Sequence, residues 1–423
     1  MKNNSSKNKT NSNKKVKKRA KKLAKSSSCT LMCSKINATN DFLNAIEDYK
    51  KLCIKYLLNP HPLFNEQITK NQITFYLENY SLKDTIIISQ ILSKYFYFKH
   101  IKISDKDPNK KRYCKINYYE IEKEKKDKEK KDLKNQKSIY HKKTIYLIQG
   151  ISNHISLSLN LISFSITNLI LNEELVSLLS KGLSENISIQ GLAINNCKIT
   201  DQKSFELIIG SLLTHPSILY IDLSYNNLKD KYGKILGRLI TRQSQRRDQV
   251  IWAYGLRNEK PPNNDYSRGL ISVGLKGNFF NEITSLNISN SLLTDQYIRS
   301  IDLSENNLNK ESCKMFIKIM RKNNVILNID LQNNPGYDED IHTRIVMKMS
   351  KNIKILYSKY LNDEFREEEF NEIKGFINQS FFDVDIPEKI IEVYNSNFDF
   401  FDENNKQNME NYIQGDEEEE DEK

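Results

Sequence analysis

Residue types that commonly carry covalent crosslinks or chemistry are scarce in this chain of 423 residues. It has six cysteines without regular spacing, six histidines and one tryptophan. A disulfide framework usually belongs to a small secreted domain, so none is expected here. No stretch approaches about eighteen apolar residues, so no membrane span is expected. These absences predict a reduced, intracellular protein.

Motifs for catalysis and cofactor binding are absent too. There is no P-loop and no G-x-S-x-G elbow, and no histidine lies at ligand spacing from cysteine or carboxylate partners. Cys29 and Cys33 lie in a basic segment that offers no second ligand pair. We therefore predict no catalytic residues, no cofactor and no metal site, and we expect that the chain is not an enzyme.

Charge is distributed unevenly along the chain. Twelve Lys or Arg residues lie between Lys2 and Lys35, whereas Asp416–Glu422 is wholly acidic. Segments with little apolar surface remain disordered, which predicts a disordered basic tail over 1–38 and a disordered acidic tail over 401–423. The basic run at Lys14–Arg19 fits a nuclear import signal, a microtubule contact or nonspecific nucleic-acid binding.

An apolar pattern recurs through the centre of the sequence. Ile189–Ile199 matches the leucine-rich-repeat template L-x-x-L-x-L-x-x-N/C-x-L at every position. With this copy, the pattern starts at residues 159, 189, 218, 270, 298 and 326, in steps of 30, 29, 52, 28 and 28. A step of 28 or 29 holds a strand, a turn and a helix of about three turns. The sequence thus predicts an α/β leucine-rich-repeat solenoid, a horseshoe like ribonuclease inhibitor, over 39–350.

Phe98-x-x-Ile101-x-Ile103 has the opening of an earlier repeat strand, and two segments interrupt the repeats that follow it. The first, 105–143, is dense in lysine and glutamate and predicts a solvated, partly helical insertion. The second, 243–269, produces the step of 52. Residues 351–400 are predicted to form a helical flank. The segment 283–293 fits both a strand and a helix, and we interpret it as the helix of the repeat that starts at residue 270, since a strand there leaves no room for a helix.

Four asparagines fill the ninth position of the template and are predicted to be structural. They are Asn226, Asn278, Asn306 and Asn334. The residues between the apolar positions are expected on the concave side, where we predict partner contacts through Tyr220, Asp222, Asp302 and Asp330. The three aspartates form either an acidic stripe that is common in such repeats or a groove for a basic helix.

The 243–269 insertion is the second candidate for a partner-binding surface. It carries Trp252 together with Arg246, Arg247 and Arg257. Tryptophan and arginine are the usual anchors of protein interfaces, so a projecting binding element is one interpretation. An insertion that packs against the edge of the repeats is the other.

Several of these features together resemble the repeat domain of the centrosomal protein 78 family. In the insertion they are Arg246-Arg247, Trp252, Leu256-Arg257 and Gly269-Leu270, and in the last repeat Asp330-Leu331 and Asn334-Pro335. The likeness covers roughly residues 41 to 350. The charged segment 105–143 and the absence of long heptads after residue 350 depart from that family.

The resemblance implies a non-enzymatic adaptor at centrioles or basal bodies with a role in cilium biogenesis. In that family the repeats recruit regulatory proteins, including a polo-like kinase and a ubiquitin-ligase substrate receptor. We accordingly expect a location in the cytoplasm and cytoskeleton, at the centrosome or cilium basal body, with the nucleus left open by the basic run. The rivals are a generic intracellular protein-binding repeat protein and a GTPase-activating protein of the Ran type. Arg242, Arg246 and Arg257 would be the clustered candidates for the latter.

Overall fold

The computed structural model describes residues 30–105, 127–199, 201–259 and 269–361. Within these ranges the chain is α/β, with eight parallel strands in one open sheet whose spatial order is the chain order. The strands are β1 Gln72–Tyr76, β2 His100–Ser104, β3 Ser163–Thr167, β4 Gly191–Asn195, β5 Tyr220–Asp222, β6 Ser272–Gly274, β7 Ser300–Asp302 and β8 Asn328–Asp330.

Helices connect the strands and form a second layer. They are α1 Thr30–Lys55, α2 Pro62–Gln67, α3 Leu82–Lys94, α4 Asp127–Leu157, α5 Glu173–Glu185, α6 Gln202–Leu212, α7 Gly233–Gly255, α8 Glu282–Leu292, α9 Lys310–Lys322 and α10 Glu339–Leu361. From α3 onward each helix packs against the next one along the chain. The apolar core lies between the helices and the sheet.

One buried apolar position runs through the whole sheet. Its members pair in register from strand to strand: Ile73, Ile101, Phe164, Leu192, Ile221, Val273, Ile301 and Ile329. None of these side chains is more than 2% exposed. A single strand has nothing to bury its apolar face against, so the units are stable only when neighbouring ones stack into a continuous core.

The predicted register of one repeat is wrong by two residues. Phe164 pairs with Leu192, which puts the first template position at Leu161 rather than at Leu159. Leu161 is fully buried, whereas Leu159 is 72% exposed. A shift of two residues keeps the same side chains on the same face of a strand, so the alternating pattern fits both registers equally well.

The sequence analysis also missed the first strand. β1 precedes the earliest predicted repeat, and Ile73 and Phe75 are buried at its fourth and sixth template positions. Lys70 and Glu78 occupy the first and ninth positions, where the template requires an apolar residue and an asparagine. Because polar residues occupy these two diagnostic positions, the template does not identify this copy.

The boundaries of tails and insertions differ in part from the prediction. Helix α1 begins at Thr30, inside the segment predicted as a basic tail, and α4 begins inside the charged insertion. Helix α7 continues into the second insertion as far as Gly255, and α10 includes the first residues of the predicted C-terminal flank. Residues 1–29, 106–126, 200, 260–268 and 362–423, including the predicted acidic tail, lie outside the described residues.

Segment 283–293 is confirmed as helical, and its weak apolar pattern has a packing cause. Helix α8 faces α7 with small side chains because the two helices approach very closely. A Cβ at Gly233 would lie 2.3 Å from the Cα of Thr284, and one at Gly237 would lie 3.0 Å from Ser291 Oγ. Fully buried Ser285 stands where α5 carries Val176 and α6 carries Phe205.

Candidate functional site

The four predicted asparagines form a buried ladder beside the sheet. The Asn278 amide donates to the carbonyls of Leu223 and Leu275, and its Oδ1 accepts from the backbone N–H groups of Asn226 and Leu228 at 3.1 and 3.0 Å. Asn226, Asn306 and Asn334 each bond to their own repeat and to the preceding one. Each side chain therefore satisfies backbone groups that the turns leave unpaired.

A second ladder of buried amides lies at the opposite end of the strands, and the sequence analysis missed it. Its members are Asn186, Gln243, Asn323 and Asn352. Asn323 is typical, since its Nδ2 donates to the carbonyls of Leu292 and Asp295 at 2.7 and 2.8 Å. The signal was a polar residue recurring about three turns after the start of four helices. Asn186 and Asn323 follow α5 and α9, whereas Gln243 and Asn352 lie inside the longer α7 and α10. One member is a glutamine, so no fixed residue type marks the position.

The polar side chains of the strands occupy the sheet face opposite the helices, which we call the open sheet face. Asp222, Asp302 and Asp330 lie in register there, with Gly274 between the first two. Each aspartate accepts a hydrogen bond from the backbone N–H two residues ahead, at 2.9 to 3.0 Å. This bond gives the carboxylates a turn-stabilising role. Tyr220 and Asp222 are only 6% and 7% exposed and offer a partner little surface.

The C-terminal half of the open sheet face carries carboxylates whose protonation is perturbed. Burial, and then the charge of Asp330, raise the pKa of Asp302 to about 6. Burial also raises the pKa of Asp330, while the Lys276 ammonium opposes the rise. Two adjacent carboxylates that share one lysine present an acidic surface suited to a cationic partner.

Replacing Asp302 by asparagine should change the pH dependence of stability. The folded pKa of Asp302 is raised, so its contribution to stability is present at low pH and is lost as the pH rises through about 6. Buried His154 and His215 have pKa values lowered to about 4, so their contribution to the free energy of unfolding increases as the pH rises through the same range. We therefore compare the two chains: D302N should gain stability relative to the natural chain as the pH rises from 3.8 to about 6, and the difference should change little at higher pH. Urea unfolding midpoints measure this difference, and parallel pH profiles would contradict it.

A rim cluster beside the open sheet face was also missed from sequence. Tyr225 has a left-handed backbone (φ 59°) and is 42% exposed. Its ring lies across Gly277, where a Cβ would be 2.2 Å from the ring, and its hydroxyl donates to Glu305 at 3.0 Å. Glu305 in turn pairs with Lys276 at 3.2 Å. The available signal was a tyrosine one residue before the structural Asn226, followed by glycine at the same position of the next repeat.

The insertion carries an exposed apolar tip. Gln243 occupies the second ladder, and α7 then continues to Gly255. Near the end of this extension Trp252 is 67% and Leu256 68% exposed. Exposed side chains of this size on a projecting helix are typical of an interaction site.

The predicted arginines do not form one cluster around Trp252. Arg246 donates to the carbonyl of Pro216 at 2.9 Å, and the Arg247 guanidinium lies 4.7 Å from the centre of the Tyr297 ring. These half-buried arginines anchor the helical extension to the turns on either side. Arg257, by contrast, is exposed beyond the end of the helix.

The described residues hold no group of three or more His, Cys, Asp or Glu side chains that could bind a metal ion. In the same part of the chain, no helix is long and apolar enough to cross a membrane. Three described cysteines are buried, and burial raises the pKa of Cys197 to about 12 and that of Cys313 to about 11. Both thiols are therefore held in the unreactive protonated form.

No protein-family model matches the chain. The human protein "Centrosomal protein of 78 kDa" is 25% identical over 222 residues, which are 52% of this chain and 32% of the human protein. This chain is a relative of centrosomal protein of 78 kDa. The mouse protein of that name is 25% identical over 215 residues, 51% of this chain and 27% of the mouse protein. The match thus spans about a third of the human protein of 78 kDa, and the resemblance seen in the sequence is confirmed.

Two solved structures align with part of the chain. The tropomodulin C-terminal domain of Caenorhabditis elegans has a TM-score of 0.35 and 15% identity, covering 44% of this chain and 98% of that domain. The actin-binding site 2 of leiomodin-1 has a TM-score of 0.34 and 10% identity, covering 44% and 93%. TM-scores this low support no conclusion about the present chain.

Proposed function

We propose that this chain is a leucine-rich-repeat solenoid of the ribonuclease-inhibitor kind that serves as a non-enzymatic adaptor at the centrosome. The proposal rests first on the two relatives named as centrosomal proteins, which match about half of the chain. The solenoid is supported by the sequential parallel sheet, by most strands following one another at steps of 28 or 29 residues, and by the asparagine ladder.

Two surfaces are proposed to bind partner proteins. One is the acidic half of the open sheet face, concave in such a solenoid, with Asp302 and Asp330 and the exposed rim at Tyr225. The other is the apolar tip at Trp252 and Leu256. Desolvated aromatic anchors contribute most to protein interfaces, whereas charges set orientation and association rate. The partners we propose are centriolar regulators, a kinase and a ubiquitin-ligase receptor among them, in support of centriole and cilium biogenesis.

The location is tested with the complete chain carrying a fluorescent tag, imaged beside a centriole marker. We expect the tagged chain to coincide with centrioles or basal bodies. The same protein without residues 2–35 separates the alternatives for the basic tail: loss of a centriolar signal indicates tethering, and loss of a nuclear signal indicates import. A uniform distribution of the tagged chain in the cell would contradict the proposal.

Trp252→Ala should reduce partner capture at the helical tip by about tenfold or more, the effect expected for a buried aromatic anchor. Proximity labelling of the complete chain in cells would measure the change for each neighbouring protein. Ile54→Ala is the matched control, because Ile54 is 73% exposed on α1, far along the chain from the tip. Unchanged labelling by the Trp252 variant would mean that the tip is not the binding surface.

A further inference from the structure

Helix α8 exposes an apolar stripe on its outer surface. Ile283, Leu286 and Leu293 are 51%, 50% and 38% exposed and follow one another at helical spacing. The side of the same helix that faces α7 carries small or polar residues because of the close approach of the two helices. Apolar side chains that face solvent in this arrangement gain nothing from the core, which points to a segment that covers them.

Basic residues border this stripe on both sides. Helix α8 lies between α7 and α9 in the helical layer. Every charged residue of α7 before Asp248 is basic, and Lys234, Arg238 and Arg242 are exposed at intervals of four residues. Helix α9 exposes Lys318 and Lys322. The surface is an apolar ridge between two cationic rows, which suits an acidic amphipathic segment.

The chain itself contains such a segment directly after α10. Residues 362–423 include twenty-one acidic and five basic residues. Phe370, Ile373 and Ile377 are spaced as one face of a helix, and six acidic residues lie between Asp363 and Glu372. We propose that the segment 363–377 docks on this face: its acidic residues 363–369 cross α9 in extended form beside Lys318 and Lys322, and Phe370, Ile373 and Ile377 cover the α8 ridge as one face of a short helix.

The length of chain allows this docking. Helix α10 lies two helices from α8, roughly 20 Å sideways at typical helix packing distances. It also runs twelve residues beyond the level at which α8 ends, roughly 18 Å further. The direct distance is therefore about 27 Å, and nine residues from Leu361 to Phe370 span up to about 30 Å when extended. The apolar face of the segment thus begins where it can reach the ridge.

Hydrogen exchange of the complete chain tests the proposal. Backbone amides of 370–377 should exchange about tenfold more slowly in the natural chain than in Leu286→Asp, because docking protects them. Leu207→Asp, which introduces the same charge at an exposed leucine of α6, should leave the protection unchanged. The double variant Lys318→Glu and Lys322→Glu should also lose protection while leaving the apolar ridge intact. Equal unfolding midpoints confirm that the variants remain folded.

Zero-length carbodiimide cross-linking identifies the occupant of the ridge. We expect links from Lys318 or Lys322 to carboxylates of 363–372 within one chain. In a mixture of isotope-labelled and unlabelled protein, links that join the two labels would show a second copy on the ridge and overturn the intramolecular proposal. Fast exchange of 370–377, identical in the natural chain and in every variant, would overturn it as well.

Discussion

Asn278→Ala should lower the free energy of unfolding by about 3–5 kcal/mol, since two buried N–H groups lose their acceptor at about 1–3 kcal/mol each. The stranded donors belong to Asn226 and Leu228, and three carbonyls, those of Leu223, Leu275 and Lys276, lose the Asn278 amide as well. Alanine cannot replace these hydrogen bonds, because its side chain offers neither a donor nor an acceptor. Urea denaturation followed by circular dichroism measures the loss.

The same deletion at an exposed position is the control for that variant. Asn44 is exposed on α1, so Asn44→Ala should change the unfolding free energy by less than about 0.5 kcal/mol. Similar losses for the two variants would mean that the ladder adds nothing beyond the general cost of removing an amide. Because repeats are stabilised by their neighbours, the loss at Asn278 should also propagate as reduced hydrogen-exchange protection of β5 and β6.

Gly233→Ala should lower the free energy of unfolding by about 2–3 kcal/mol, because overpacking outweighs the gain in helix propensity. A methyl group at this position would lie 2.3 Å from the Cα of Thr284, a backbone atom that cannot move without displacing α8. The contact between α7 and α8 would have to open, and the close approach that the small residues allow would be lost. Thermal and urea unfolding both report the change.

Gly210→Ala should change the free energy of unfolding in the opposite direction. Gly210 lies in α6, and a Cβ there would meet nothing within 4 Å. The substitution should therefore stabilise the protein by up to about 1 kcal/mol through helix propensity alone. If both glycine variants shift stability in the same direction, the tight contact between α7 and α8 is not what requires Gly233.

The repeating strands were predictable wherever each diagnostic position had its expected residue type. The copies that begin at 189, 218, 270, 298 and 326 align in the sheet as the template indicates. The failures have local causes. Leu159 and Leu161 fit equally because side chains alternate with a period of two, and β1 was lost because Lys70 and Glu78 replace an apolar residue and an asparagine. Only pairing with a neighbouring strand removes such ambiguities.

The candidate site was less accessible to sequence reasoning. The pattern placed the aspartates of the open sheet face in one row, but it could not reveal that Asp222 is buried while Tyr225 reaches Glu305 two repeats away. It grouped Arg246 and Arg247 with Trp252 by proximity in the chain. In the structure, both arginines turn toward the body of the protein, whereas Trp252 remains exposed at the tip.

The sequence by itself determined the repeat length, the apolar positions and the asparagines that close each turn, because these depend on the chemistry of single residues at fixed spacing. The tertiary structure decided which polar residues remain on the surface, how closely α7 and α8 approach, and where the α8 ridge lies between its cationic neighbours. Those properties depend on atoms brought together from repeats that are distant in the chain. Exposure and packing are set by such neighbours and cannot be assigned to one residue type alone.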